Sequence, residues 1–180
     1  MKESMPRYAV ILAAGKGTRF KSGKPKVMHE ICGKPMISYL FDRLPVLNIK
    51  KSFVVVDSES ESIREALSSY NLEFVVQEKQ LGTGHALACA LESFKDLRGN
   101  VLVLYGDTPF VATSCLEDLL DSCEIDESDE ALLTTVLGEP SGYGRIIRDK
   151  SGNPVDIVEE KDATTEQRKI REVNAGFACF

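Results

Sequence analysis

A short run of glycine and basic residues, LAAGKGTR at positions 12–19, directly follows an apolar stretch. Glycine permits positive φ and close backbone approach, so the N–H groups of such a run can converge on an anion. Arg19 within the run and Lys26 seven residues later add positive charge to a chain whose net charge is −6. Cations in this position neutralise a polyphosphate that would otherwise repel an incoming phosphate nucleophile. The run therefore predicts a phosphate-binding loop.

The glycine run matches neither of two widespread phosphate-binding patterns. A Walker A loop needs Ser or Thr directly after Gly-Lys, where Gly17 stands. A dinucleotide fingerprint needs a small residue where Phe20 stands and an acidic residue about 20 positions later. The candidate acid, Asp57, lies 40 positions after Gly17. A dinucleotide-binding oxidoreductase is therefore disfavoured, and a glycine turn without a ligand stays open as the simplest alternative.

A single carboxylate, Asp107, follows the apolar run VLVLY at positions 101–105. Mg²⁺ prefers hard oxygen ligands and usually takes one or two protein carboxylates, leaving its other positions to phosphates and water. Asp107 is therefore a candidate magnesium ligand. An Asp followed by Thr108 and Pro109 also suits an ordinary turn, and that alternative stays open.

Short apolar runs alternate with segments of helical periodicity, and these elements have to position the candidate groups. The runs lie at residues 8–13, 52–56, 73–76 and 101–105. Their composition is typical of strands buried on both faces. The segments with apolar residues three and four positions apart lie at 36–44, 63–70, 86–94 and 116–123. The alternation predicts an α/β fold, Rossmann-like and doubly wound about a mostly parallel sheet, with ligands at the carboxyl ends of the strands.

Two further patterns refine the elements. Ser58-x-x-Glu61 predicts a capping box at the start of the second helix. After residue 130 the chain becomes β-rich, with a strand expected at 131–137, a hairpin at 145–159 and a strand at 173–180. We therefore expect an α/β part at 1–130 and a β-rich part that starts at 131 and runs to 180.

Composition restricts the function classes. A chain of 180 residues that is 43% hydrophobic indicates one domain with a buried core. The acidic balance argues against a broad basic face for nucleic acid, and no apolar run approaches the length of a membrane span. Five cysteines without a C-x-x-C pair favour free thiols over a disulfide framework or a zinc site. We expect a soluble cytoplasmic protein without nucleic-acid or membrane partners.

Seven motifs together give the sequence a specific resemblance. They are LAAGKGTR at 12–19, PKV at 25–27, QEKQLGTGHA at 77–86, YGD at 105–107, GYGRI at 142–146, IVEEKDAT at 157–164 and EVNAG at 172–176. With them the sequence, from about residue 8 to residue 180, resembles the N-acetylglucosamine-1-phosphate uridylyltransferase (pyrophosphorylase) domain of the bacterial bifunctional GlmU family. The first motif is shared by many sugar nucleotidyltransferases, whereas QLGTGHA, GYGR and EKDAT are narrower.

The resemblance implies Mg²⁺-dependent transfer of UMP from UTP to N-acetylglucosamine 1-phosphate, giving UDP-N-acetylglucosamine and pyrophosphate for cell-envelope precursors. It implies Arg19, Lys26 and Asp107 as catalytic residues and Asp107 as a metal ligand. The implied substrate-binding residues are Leu12, Ala13, Ala14, Gly15, Lys26, Gln77, Gln80, Gly82, Thr83, Tyr105, Gly106, Asp107, Gly144, Glu159 and Asn174. Gln77 would read the uracil edge, and the last three residues would contact the sugar. The resemblance thus implies a nucleotide-binding part at 1–130 and the start of a sugar-binding part at 131–180. His85 is expected to pack at a helix start rather than to act as a base.

The resemblance also implies features outside these 180 residues. A second metal ligand, an Asn or Asp, is expected after Phe180, so we expect the catalytic domain to be truncated at its C-terminal end. A β-helix acetyltransferase domain would follow in the parent protein and organise a trimer. Two alternatives stay open: a catalytically silent fragment that binds nucleotide sugar, and a nucleotidyltransferase for another sugar phosphate.

Overall fold

The computed structural model describes residues 5–15, 17, 22–125 and 130–180. Arg19 therefore lies outside the described residues. The chain divides into two compact units, the first formed by residues 1–131 with 179–180 and the second by residues 132–178.

The first unit contains the alternating strands and helices. Its elements are β1 Arg7–Leu12, β2 Glu30–Ile31, β3 Lys34–Pro35, α1 Ser38–Phe41, β4 Ile49–Val56, α2 Glu61–Ala66, β5 Leu72–Val76, α3 Thr83–Leu91, β6 Asn100–Tyr105 and α4 Thr113–Ile125. Strands β5, β4, β1 and β6 lie side by side in that order, and all are parallel. The predicted α/β fold with a parallel sheet is confirmed. Strands β2 and β3 form a separate antiparallel pair that the sequence patterns do not predict.

Strand β1 is central, and side chains on both of its faces are buried. Tyr8 and Val10 lie on one face, whereas Ala9 and Ile11 lie on the other. Tyr8 and Val10 belong to a core cluster with Phe53, Val55, Ala86 and Ala90. Burial on both faces explains why the run is continuously apolar rather than alternating.

The second unit is β-rich, as predicted. It contains most of β7 Ala131–Val136 and β10 Glu172–Cys179, together with β8 Arg145–Arg148 and β9 Pro154–Val158. Strands β8 and β9 form the predicted antiparallel hairpin, and β10 pairs with β8 and β7. The hairpin turn is held by Asp149, whose carboxylate accepts hydrogen bonds from the backbone N–H groups of Ser151 and Asn153.

Two local predictions are wrong. The helix expected at 36–44 is shorter, because Pro45 has no N–H to donate to the Phe41 carbonyl, and a 3-10 helix follows at Leu44–Leu47. The expected capping box is absent, since Ser60 rather than Ser58 precedes α2. The Asp57 carboxylate instead accepts hydrogen bonds from the Glu59 N–H at 3.1 Å and from the Ser60 hydroxyl.

The five cysteines all carry free thiols. Cys123 and Cys179 are buried, and burial raises the pKa of the Cys179 thiol. In the parts of the chain that the structure describes, no helix is long and apolar enough to cross a membrane.

Candidate active site

A cavity of about 280 Å³ lies where the parallel strands of the first unit end. It is lined by Leu12, Ala13, Ala14, Gly15, Lys26, Val27, Gln77, Gln80, Gly82, Thr83, Ala86, Tyr105 and Asp107. All except Val27 and Ala86 are predicted from the sequence as substrate-binding residues. Both exceptions could be predicted from their positions in the sequence. Val27 directly follows Lys26, and Ala86 lies about one helical turn after Thr83.

Hydrogen bonds between neighbouring strand ends hold the glycine loop in place. The Ala13 N–H donates to the Val55 carbonyl at 2.8 Å, and the Gly106 N–H donates to the Leu12 carbonyl at 3.0 Å. Gly106, a predicted substrate-binding residue, therefore supports the loop without lining the cavity. The edge formed by β4, β1 and β6 brings together groups that are far apart in the sequence.

Lys26 and Asp107 form an ion pair in the cavity wall. The Lys26 Nζ lies 2.5 Å from the Asp107 Oδ2, and the two side chains are 29% and 31% exposed. Gly17 approaches Lys26 so closely that a Cβ on Gly17 would lie 2.7 Å from the Lys26 Cβ. The structure thus brings one cation and one carboxylate to the loop that the sequence predicts to bind phosphate.

Two glutamine side chains cross-link the other side of the cavity. The Gln80 Nε2 donates to the Ala14 carbonyl at 2.6 Å, which ties the segment before α3 to the glycine loop. The Gln77 side chain is only 3% exposed, and its Nε2 lies 3.2 Å from the Gly82 carbonyl and 2.9 Å from the His85 Nδ1. His85 lies in the first turn of α3, as predicted.

The three predicted sugar-binding residues are neighbours within the second unit. The Asn174 N–H donates to the Gly144 carbonyl at 2.9 Å. A Cβ on Gly144 would lie 3.3 Å from the Glu159 Oε1. The group offers a carboxylate and an amide, which are the side chains that bind sugar hydroxyl and N-acetyl groups.

Asp107, the candidate metal ligand, has hydrogen-bond partners at both of its carboxylate oxygens. Its Oδ2 faces Lys26, and its Oδ1 accepts a hydrogen bond from the Thr108 hydroxyl at 3.3 Å. Among the described residues, no group of three or more His, Cys, Asp or Glu side chains could hold a metal ion. A single, partly exposed carboxylate suits Mg²⁺, because this ion leaves most of its positions to substrate phosphates and water.

Comparisons with known proteins point to one family. Residues 9–167 match the MobA-like NTP transferase domain. The proteins named bifunctional protein GlmU from Clostridium novyi and Desulfotalea psychrophila are 43% and 44% identical to this chain, over 98% and 99% of its length. The GlmU protein of Geobacillus thermodenitrificans is 43% identical over 97% of the chain. The chain covers only 39%, 53% and 38% of these three relatives.

A solved structure shares the fold. The crystal structure of UDP-glucose pyrophosphorylase complexed with UDP-glucose has a TM-score of 0.78 to this chain at 20% identity. The match covers 98% of this chain and 76% of that one. The strand-end cavity and the match over residues 9–167 agree, and the chain belongs to the MobA-like NTP transferase domain family.

Proposed function

We propose that this chain transfers UMP from UTP to N-acetylglucosamine 1-phosphate, releasing pyrophosphate and forming UDP-N-acetylglucosamine. The observation that carries the proposal is the Lys26–Asp107 ion pair beside the glycine loop, in a cavity at the ends of parallel strands. The GlmU relatives and the sequence motifs support this choice of nucleotide and sugar. Residues 1–130 would bind the nucleotide, and residues 131–180 would begin the sugar-binding part.

Catalysis in this proposal comes from position and charge. The backbone of residues 12–15 holds the polyphosphate, and the Lys26 ammonium neutralises negative charge as the transition state forms. Arg19 is the second proposed cation. The sugar phosphate is already ionised at neutral pH, so its oxygen attacks the α-phosphorus without a protein base. The bond between the α-phosphorus and the bridging oxygen then breaks, and pyrophosphate leaves.

Asp107 has two roles in the proposal. In the free protein its carboxylate holds Lys26 at the loop, with 2.5 Å between the charged atoms. With substrate present, Asp107 would hold a magnesium ion. That ion would supply further positive charge to the nucleotide phosphates.

The remaining residues select the substrates. Uracil presents one N–H donor between two carbonyl acceptors, and the Gln77 and Gln80 amides with backbone groups of Gly82 and Thr83 can match this edge. In the second unit, Gly144, Glu159 and Asn174 would contact the sugar and its N-acetyl group.

Pyrophosphate release from UTP, N-acetylglucosamine 1-phosphate and MgCl₂ tests the proposal. We expect turnover by the unaltered chain, and a loss of about 100-fold or more in Lys26→Ala and in Asp107→Ala, because each removes charge that stabilises the transition state. Lys24→Ala is the matched control, since Lys24 pairs with Glu30 at 3.3 Å and does not line the cavity. Asp96→Ala, at an exposed position outside the cavity, is the control for the carboxylate.

Several outcomes would contradict the proposal. Release that continues in EDTA, or in Asp107→Ala at the original rate, would rule out the proposed role of Asp107. Faster turnover with glucose 1-phosphate than with N-acetylglucosamine 1-phosphate would reassign the sugar. Binding of UDP-N-acetylglucosamine without any turnover would identify a catalytically silent binding domain.

A further inference from the structure

We infer that His85 is a positioning residue for recognition of the nucleobase. Together with the Gly82 carbonyl, it fixes the orientation of the Gln77 amide, so that the amide oxygen rather than the amide nitrogen is offered to the base. This inference rests on the proposed function, since the base in question belongs to the proposed substrate UTP.

The Gly82 carbonyl identifies which end of the Gln77 amide is the nitrogen. A carbonyl oxygen can only accept a hydrogen bond, so the amide atom 3.2 Å away has to be the donor Nε2. With this end assigned, the atom 2.9 Å from the His85 Nδ1 is also Nε2. An amide nitrogen carries two hydrogens, so these two contacts use its whole donor capacity.

The same contacts determine which ring nitrogen of His85 carries the hydrogen. Because the Gln77 Nε2 is a donor, the His85 Nδ1 has to be an acceptor, and the ring hydrogen of neutral His85 is on Nε2. The Cys89 Sγ lies 3.9 Å from the same Nδ1, where a thiol is a second weak donor to it. A flipped Gln77 amide would place two acceptors together at Gly82, so the observed orientation is strongly preferred.

Gly82 has a backbone conformation that supports this arrangement. Its φ of 102° and ψ of 179° are accessible essentially only to glycine. In this conformation its carbonyl accepts both from Gln77 and from the Ala86 N–H, at 3.1 Å for the latter bond. One of the two acceptors that orient the amide is therefore part of the start of α3, and His85 in the same helix is the other.

The Gln77 oxygen is left as the group that can bind a ligand. Within the described part of the chain, this Oε1 accepts no hydrogen bond, although the side chain is only 3% exposed and lines the cavity. An amide oxygen at a cavity wall can accept a hydrogen bond from a ligand donor. Uracil offers its N3–H, whereas N3 of cytosine is an acceptor and would face Oε1 unfavourably. The fixed amide therefore favours UTP over CTP.

The test compares the dissociation constants of UTP and CTP by calorimetry for the unaltered chain and three variants. His85→Leu removes one of the two acceptors that hold the amide, so the preference for UTP should fall by about tenfold, the effect of one hydrogen bond. His85→Asn restores an acceptor near the position of Nδ1 and should recover most of the preference. Ala88→Ser, at an exposed position of the same helix, should leave the preference unchanged.

The outcomes separate this inference from the proposed function. An unaltered chain that binds neither nucleotide would overturn both. A chain that prefers UTP, with an undiminished preference in folded His85→Leu, would overturn only the role of His85. A purely structural role predicts equal losses for UTP and CTP and no rescue by His85→Asn. If His85→Leu does not fold, His85→Gln replaces it, because its acceptor lies near the position of Nε2 and should not restore the preference.

Discussion

Gly17 lies beside Lys26 with no room for a side chain between them. Gly17 has a φ of 55°, and a Cβ there would lie 2.7 Å from the Lys26 Cβ. Any larger residue at position 17 therefore has to change the position of Lys26 relative to residue 17. The contact makes the position of the ammonium group dependent on a residue that carries no charge.

Substitution of Gly17 should reduce turnover while the fold persists. For Gly17→Ala we expect kcat/KM for UTP to fall by about 10- to 100-fold, because small displacements of a positioned charge are costly. The penalty on stability should be about 1 kcal/mol. Gly23→Ala is the matched control, since a Cβ on Gly23 would meet nothing within 4 Å. Equal kinetics in the two variants would show that Lys26 does not depend on the contact.

The sequence predicts many residues of the cavity but not how they contact each other. Motif spacing places Gln77 and His85 in one segment, and strand ends place Lys26 and Asp107 at one edge of the sheet. The bond from Gln77 to His85 depends on a loop conformation at Gly82 that no periodicity specifies. The GYGRI motif likewise does not indicate that Arg145 is buried. The residue is 1% exposed and donates to Glu160 at 2.6 Å.

At the scale of elements, Glu172 connects three strands of the second unit. It lies on β10 and accepts hydrogen bonds from Thr134 of β7 and from Arg148 of β8, with distances of 2.6 to 2.8 Å. The Arg148 guanidinium, followed by Thr134, lowers the pKa of Glu172 from 4.5 to about 2. The charged form is therefore bound more favourably in the folded state than in the unfolded state.

This carboxylate should give the stability a specific pH dependence. A lowered pKa adds stability that is fully present above the unfolded value of 4.5 and is lost as the pH falls towards 2. We expect Glu172→Gln to reduce the free energy of unfolding by about 1 kcal/mol at pH 7, because Arg148 is largely exposed and solvent screens the pair. Urea unfolding at pH 7 and pH 3 measures the difference.

The difference between the unaltered chain and Glu172→Gln should narrow at pH 3. Glu139→Gln, at an exposed position of the same unit, should unfold like the unaltered chain at both pH values. A difference that is the same at pH 7 and pH 3 would mean that Glu172 acts through packing rather than charge.

Strands are more predictable than helices in this chain. The runs at 8–12, 53–56 and 101–105, which lie within β1, β4 and β6, are continuously apolar because side chains on both faces of the sheet are mostly buried. The segment after Pro35 has helical spacing, yet Pro45 and the left-handed Asn48 convert its end into a 3-10 helix. The capping box is absent because α2 begins after Ser60, and the Asp57 carboxylate binds the Glu59 N–H and the Ser60 hydroxyl.

At the scale of the whole molecule, stability should depend on burial in the sheet. Leu104 of β6 is 0% exposed, whereas Leu91 of α3 is 58% exposed. We expect Leu104→Ala to lower the free energy of unfolding by about 2 to 5 kcal/mol, because it leaves a cavity in the core. Leu91→Ala should change it by about 0.5 kcal/mol or less. Urea unfolding of both variants makes the comparison, and similar losses would contradict the assignment of β6 to the core.

Long-range pairing is the part of the fold that local patterns do not contain. Phe180 exchanges two backbone hydrogen bonds with Val101 of β6, so the last residues of the chain belong to the first unit. Periodicity identifies both segments as strands. It gives no preference for which strands become neighbours, because apolar side chains on either would be buried equally well by several partners.

In the Lys26–Asp107 ion pair, the Asp107 carboxylate competes with incoming anions for the Lys26 ammonium. Before a nucleotide binds, the Lys26 ammonium is paired with a carboxylate of the same protein, at 2.5 Å. A phosphate that binds Lys26 has to break this ion pair. A cation that binds Asp107 has to break it as well. Each ligand thereby releases the partner that the other needs. Thermodynamic reciprocity then requires nucleotide and divalent cation to strengthen each other's binding by equal factors.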